Sequence, residues 1–566
     1  MSSAKIKDLF NGRFFEIPKY QRGYAWEAQN VQDLFDDISE SIESNSSHYV
    51  GTIVLSTDGD DDEKFYVVDG QQRITTLTLI ISALVKKLSK DDSIYFTRSY
   101  IEDEGRYKLS PATRDKAYFV DLLNGIGVAP QNKSQRTLHE RFKEIELRVE
   151  TIPDKKKFLK SLEKLEIVEF IENSEGDAIR IFQTVNDRGK PLSNVEKAKS
   201  LLIYFSNRYL NRKLDDTIND YFSDIFETYD DIKILGESLG IRLINNKDFN
   251  EDNLMRYHFV TYSQENYDPS AEYVFHYLKT KLSDLRKDNI DAGYVQLEKF
   301  INSYTSSLKI FFESFRKIIS MASTDKNYYN IFVVLNLSAT LYPLITELAT
   351  ADLLDKPVSK DGKDVTFLNL VELIDVRVYK TRGTDPKADI AKIVNAIRIN
   401  TPNQIAESLM WFNQRWMTKE QFQSNLHANI YENRSLNHIF ITYSEELHGT
   451  EYTLKEFKEF VSKTPNIEHI LSQTPNFDPQ ALGFQNLQDF LDHEHQLGNL
   501  TVLEKSLNSA IQNKSTFDKS VTYKRSLFKM TNKLSAEIDT SKKFTKTELI
   551  NRTKEIADFC LKKWWC

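Results

Sequence analysis

The segment KFYVVDGQQRITTLTLIISALVKK, residues 64 to 87, constrains the fold more than any other stretch of the chain. A run of β-branched and aromatic residues ends at Asp69-Gly70, and a helix with apolar periodicity begins at once, with no linker between them. Two strand-like runs precede it, GRFFEIP and HYVGTIVLS, and another, KLEIVEFIE at 164 to 172, follows. This mixture of strands and helices predicts an α+β domain. Further on, DAIRIFQTVNDRG reads as a helix stopped by Gly189 in the usual C-terminal glycine position, and Ser193 to Glu196 forms a capping-box pattern that opens the next helix.

At 566 residues the chain is too long for one ordinary core. Three parts are expected: an α+β domain over 1–215, a largely helical connector over 216–400, and a helical domain over 401–566 whose end reads strand, loop, strand, helix. Aromatic residues at helical spacing fill the middle part, a pattern of core packing rather than ligand stacking, and no chemistry is assigned to it. Asn327 to Thr346 carries no charge and is about as long as a membrane span, but polar residues and Pro343 interrupt it, so it reads as a buried core helix. Lys5 and Lys7 stand where a signal peptide needs apolar residues. Cys560 and Cys566 are the only cysteines, which gives neither a disulfide framework nor a thiolate zinc cage. No membrane partner and a cytoplasmic location are therefore expected.

The formal net charge of -8 excludes a protein that coats nucleic acid by bulk electrostatics. From Thr501 to Cys566, however, fourteen Lys and Arg stand against seven Asp and Glu. A basic end on an acidic body suits one confined polyanion contact, or an ordinary solvated helical face.

Two polar constellations carry the functional reading. In the first, a strand ending in Asp69-Gly70 presents backbone N–H groups and the positive end of a helix, which favours phosphate. Arg73 adds a fork for phosphate oxygens, Asp69 can hold Mg²⁺, and Gln71 or Gln72 can orient water. A plain turn with an amide and guanidinium cap is the competing reading. IPKYQRGYAW, with Gln21 and Arg22, and FQTVNDRGKPL, with Asn186 and Arg188, supply two more polar turns. In the second constellation, Glu468 and His469 pair a hard-metal oxygen with a base for water. Asn508 is a second oxygen ligand, and Asn499 orients the base from the neighbouring strand. His493 and His495 lack a cysteine and a well-spaced third ligand, so a zinc site is weakly supported.

The order IPKYQRGYAW, YVGTIVL, DGQQRITTL, FQTVNDRGKPL, followed far downstream by EHILSQ, HQLGNLTVL, SLNSA and FDK, resembles the GmrSD family of modification-dependent (type IV) restriction enzymes. That resemblance implies a ParB/sulfiredoxin-like N-terminal domain that binds and hydrolyses a nucleoside triphosphate (GTP, ATP or UTP). Asp69, Gly70, Gln71, Gln72 and Arg73 would lie in its site, with Gln21, Arg22, Asn186 and Arg188 as companions. At the other end it implies a ββα-metal (HNH, or His-Me finger) nuclease. There His469 is the general base, Glu468 and Asn508 hold Mg²⁺ or Mn²⁺, Asn499 supports, Lys519 contacts phosphate, and His495 is a rival base or phosphate contact. Ser472 replaces the proline of the family pattern, which would loosen the base loop without removing a ligand. The implied activity is DNA endonuclease cutting, leaving 5′-phosphate and 3′-hydroxyl ends, regulated by nucleotide and directed at modified phage DNA. A homo-oligomer is compatible with the chain. Two other readings use the same residues: a nucleotide-sensing adaptor with an inactive nuclease fold, and a ribonuclease toxin.

Overall fold

A computed structural model describes residues 2–18, 21, 23–44, 49–57, 61, 63–111, 113–173, 192–263, 266–288, 294–360, 363–475, 477–511, 514–541 and 543–564. The chain is mixed α+β and predominantly helical, and it divides into two compact units. One comprises Met1–Asp230 with Glu272–Lys309, the other Asp231–Ala271 with Ile310–Cys566.

The strands of the first unit are β1 (Ser2–Lys5), β2 (Phe14–Glu16), β3 (Tyr49–Thr57), β4 (Lys64–Asp69), a hairpin of β5 (Glu102–Asp103) and β6 (Arg106–Tyr107), β7 (Leu109–Ser110) and β8 (Glu166–Glu172). Six of them form one sheet in the order β1-β8-β3-β4-β2-β7. β4 lies at its centre, antiparallel to β3 and parallel to β2. The four strand-like runs of the sequence are β2, β3, β4 and β8. β1 and β7 are too short to show a pattern and are held through backbone pairing with β8 and β2.

β4 passes through Gly70 into the helix Gln71–Val85, of which every residue but Arg73 is buried. A helix apolar on all sides belongs at the middle of a domain. It packs against the helices Lys90–Tyr100, Lys133–Thr151 and Lys155–Leu162. The capping box at Ser193 forms as expected: Ser193 Oγ accepts the Glu196 N–H, and the Glu196 carboxylate accepts the Ser193 N–H. The helix expected over DAIRIFQTVNDRG lies outside the described residues.

The second unit is helical, with two small ladders, β9 (Pro357–Lys360) with β10 (Lys363–Thr366) and β11 (Asn466–His469) with β12 (Leu500–Leu503). Its aromatic residues are core: Tyr342 is fully buried, with Tyr257 stacked at 6.1 Å and Phe315 at 5.6 Å. Asn327–Thr346 is buried in large part, with Asn327 and Ala339 exposed, and is not one helix. Lys326–Tyr329 runs into a π turn over Asn330–Val334, the chain breaks at Asn336 with φ +55°, and a new helix starts at Tyr342 with Pro343 in its first turn. Proline suits the first turn of a helix, where the N–H it lacks would have no partner within the helix, so Pro343 fits the new start. Among the described residues no helix is long and apolar enough to cross a membrane.

Candidate functional site

In the first unit, Gly70 sits at φ +88°, where a Cβ would press on the Thr52 carbonyl at 3.1 Å. Glycine is therefore required for the sharp passage from β4 into the helix. The N-cap residue Gly70 offers no side chain to cap the helix start, where the first N–H groups have no partner within the helix.

The side chains around this turn are engaged to very different degrees. The Gln72 amide accepts the Ala25 N–H at 2.8 Å and donates to the Gly23 carbonyl at 3.2 Å. Gln21 donates to the Val68 carbonyl at 2.8 Å, and the hydroxyls of Tyr24 and Thr76 are 2.7 Å apart. Together these bonds bind the YQRGYAW segment to β4 and the helix. Arg73 donates to the Thr52 carbonyl at 2.9 Å and lies flat over Gly51, at φ +118°, where any side chain would collide with the guanidinium. Burial pulls the Arg73 guanidinium below its ordinary range, and the Asp69 carboxylate opposes that shift.

Gln71 differs: it is 8% exposed, has no side-chain hydrogen bond among the described residues, and lines a small cleft with Gly23, Thr75, Pro111 and Asp115. Asp115 was not legible as a site residue. It is buried, accepts from Ser134 Oγ at 2.7 Å and Asn132 Nδ2 at 3.1 Å, and Ser134 Oγ in turn accepts the Tyr24 N–H at 2.8 Å. Arg22, Asn186 and Arg188 lie outside the described residues.

In the second unit, β11 and β12 pair antiparallel with Glu468 opposite Thr501 and His469 opposite Leu500. The helix Lys505–Ile511, which carries Asn508, follows β12 and packs against β11. The order strand, loop, strand, helix is thus present as read. His469 closes β11, and its Nε2 lies 3.0 Å from His495 Nδ1. Tyr431 covers the pair, its ring 4.6 Å from that of His469 and stacked on that of His495 at 5.2 Å and 10°. Nothing around Tyr431 in the sequence marks it, since it reaches the site from a loop 38 positions upstream of His469. Burial first, then His495 and Lys519, lower the His469 imidazole to about 4, so it is neutral at pH 7.

Asn499 is fully buried. Its Oδ1 accepts the Leu471 N–H at 2.8 Å, and its Nδ2 donates to the carbonyls of Leu471 at 3.2 Å and Glu494 at 2.8 Å. One amide thereby fixes the chain just after His469 and just before His495. The preceding LGN turn is clamped by the helix Lys546–Lys563. Arg552 donates to the Leu500 carbonyl at 2.7 Å, Thr553 Oγ1 accepts the Gly498 N–H, and a side chain at Gly498 would run into the Leu549 carbonyl.

Lys519 is 1% exposed and donates to Glu468 Oε1 at 2.6 Å and to the His469 carbonyl at 2.7 Å. Tyr523 reaches the same Oε1 at 3.5 Å, and the His469 backbone N–H also serves the carboxylate. Burial lifts the Glu468 carboxyl above the ordinary carboxylate range, with Lys519 pulling it back. Among the described residues no three His, Cys, Asp or Glu side chains gather to hold a metal, so a zinc cage at His493 and His495 has no support. Glu468 and Asn508 offer one carboxylate oxygen and one amide oxygen, donors suited to a hard cation that keeps most of its water.

The model of the GmrSD restriction endonuclease N-terminal domain matches residues 6–203, and that of the GmrSD restriction endonuclease C-terminal domain matches residues 416–559. The first match contains the β4 turn and its cleft, and the second contains His469, Asn499 and Lys519. No curated protein matches the chain.

Proposed function

The chain belongs to the GmrSD restriction endonucleases, nucleases that act on DNA, and from that premise we propose that His469 is the general base of its cutting centre. The observation that carries this reading is the placement of His469: a buried, neutral imidazole at the end of β11, held beside His495 by loops that Asn499 fixes on both sides. On this reading β11, β12 and the helix Lys505–Ile511 form an HNH (His-Me) finger.

The proton arrangement follows from the neighbours. Glu494 Oε2 lies 3.9 Å from His495 Nε2 and favours a proton there, which leaves His495 Nδ1 as an acceptor. His469 then donates from Nε2 to His495 Nδ1 and keeps Nδ1 free to take a proton from the attacking water. The imidazolium that forms is stabilised through the same bond. Glu468 and Asn508 would hold Mg²⁺ or Mn²⁺. When bound, the ion supplies positive charge to the phosphate as negative charge gathers on it.

The DGQQR turn is the nucleoside triphosphate site of a ParB/sulfiredoxin-like domain, and nucleotide regulates cutting of modified phage DNA. The uncapped helix start and the unengaged Gln71 amide support it. Gln71→Ala lowers hydrolysis of GTP, ATP or UTP by about 10-fold or more and leaves melting unchanged. Gln72→Ala has the opposite character: it strands the Ala25 N–H and the Gly23 carbonyl and costs about 1–3 kcal/mol of stability. A Gln71→Ala protein that hydrolyses at the wild-type rate removes that residue from the site. The whole reading is tested by incubating unmodified and base-modified plasmid with the protein, with and without Mg²⁺ and each triphosphate. Nicked or linear product that requires Mg²⁺ is expected, and no cutting of any DNA under any combination defeats the proposal.

A further inference from the structure

A second feature of the first unit points to DNA without any help from the cutting centre. A groove of about 620 Å³ runs beside the helix Lys155–Leu162 and β1, lined by Lys5, Lys157, Lys160 and Lys164 together with Asp154 and Glu166. All four lysines are exposed, and none of them makes an ion pair or a side-chain hydrogen bond among the described residues. A fifth lysine of the groove, Lys156, is neutralised by Asp92, and lysines elsewhere in the same unit are paired likewise: Lys64 with Glu16, Lys86 with Glu146, Lys87 with Glu150 and Lys213 with Glu298.

The two acids at the groove do not balance these charges. Asp154 uses Oδ1 to cap the Lys157 N–H at the helix start, and the half-buried Glu166 sits opposite Lys5 in the strand ladder. Lys157 and Lys160 stand at i and i+3 on one face of the helix Lys155–Leu162, Lys164 follows in the turn after it and Lys5 lies on β1, so the four are spread along the groove lining rather than gathered on one element. Four unpaired ammonium groups on a chain of net charge -8 are a local inversion of sign. Their mutual repulsion is relieved by a polyanion that runs past them and releases its counterions. Among the described residues no aromatic side chain lines the groove to stack a free base. An extended phosphate backbone therefore fits this row better than a compact nucleotide.

We propose that this groove holds the sugar–phosphate backbone of duplex DNA, as a sequence-independent contact on the unit that does not carry the cutting centre. The proposal rests on DNA being the substrate of the family, and it is independent of His469 and of the nucleotide turn. Binding of the full chain to a 30-base-pair duplex, measured in EDTA without nucleotide over a series of salt concentrations, tests it without any cutting. In Lys157→Ala/Lys160→Ala/Lys164→Ala the affinity at moderate salt falls by about 10-fold or more, and the slope of log affinity against log salt becomes shallower by about 2 to 3, at about 0.9 for each phosphate no longer neutralised. The control Lys86→Ala/Lys87→Ala/Lys143→Ala removes the same charge from another face and keeps the wild-type slope. Equal losses in both triples would reduce the effect to bulk charge and overturn the proposal, as would wild-type binding in the groove triple. A groove triple that retains DNA but no longer binds ATP would make the occupant a nucleotide, which also overturns it.

Discussion

His469→Ala slows DNA cutting by about 10²- to 10⁴-fold, the usual worth of a positioned general base, while melting and DNA affinity stay close to those of the native protein. The structure gives reasons for that separation. His469 ends its strand, and its ring bonds His495 and packs on Tyr431 without entering the ladder, so removing it leaves the β11–β12 pairing and the Asn499 bonds in place. His495→Ala costs less, about 10-fold, because it removes the acceptor that steadies the imidazolium but leaves the nitrogen that takes the proton. The pH profile separates the two histidines further. Burial first, then His495 and Lys519, hold His469 at about 4, so its basic form persists well below the 6.5 of an ordinary imidazole. A divalent cation beside it pushes in the same direction. Cutting rates therefore stay level from neutral pH down to roughly pH 5 and fall below that. An acid limb centred near 6.5, or plasmid cutting by His469→Ala at the native rate, removes His469 from the role.

The elements that were legible in the sequence are those whose cause is local. β4 and its helix announce themselves because β-branched alternation, a glycine and an apolar helical period follow one another within 22 residues. The capping box at Ser193 and the strand–loop–strand–helix order from Asn466 to Ile511 are visible for the same reason. What the sequence does not reveal is whether a polar side chain is spent inside the protein or left for a ligand. Gln71 and Gln72 are adjacent and chemically identical. Both line the same cleft, and only the folded chain brings Ala25 and Gly23 to one of them and leaves the other without a side-chain hydrogen bond among the described residues. Gly51 is similar: nothing in the strand YVGTIVL marks it as the space into which Arg73 folds from 22 residues away. Tyr431 and Asp115 join their sites through tertiary approach alone, so no spacing marks them.

Lys519→Met destabilises the second unit by about 3–5 kcal/mol, because it leaves the Glu468 carboxylate buried without its partner and the His469 carbonyl without its donor. A buried ion pair adds little over a well-packed apolar pair, so the large effect comes from the charge left behind. It follows that Glu468→Gln in the same background recovers much of the loss, and the double-mutant cycle gives a strongly favourable coupling between the two residues. The pH dependence has a definite sign. Burial already lifts the Glu468 carboxyl above its ordinary range against the pull of Lys519, and without Lys519 it rises further. An acid whose folded pKa lies above its unfolded value contributes stability that is present below the ordinary carboxylate range and lost as pH climbs through the raised value. The deficit of Lys519→Met is therefore smaller at pH 5 than at pH 8, and thermal melts at the two pH values measure it. Had this lysine served phosphate instead, the variant would melt like the native protein, its DNA affinity would fall, and its salt slope would drop by about one unit. These outcomes are exclusive, because an ammonium held by Glu468 and the His469 carbonyl has little freedom left to reach a phosphate.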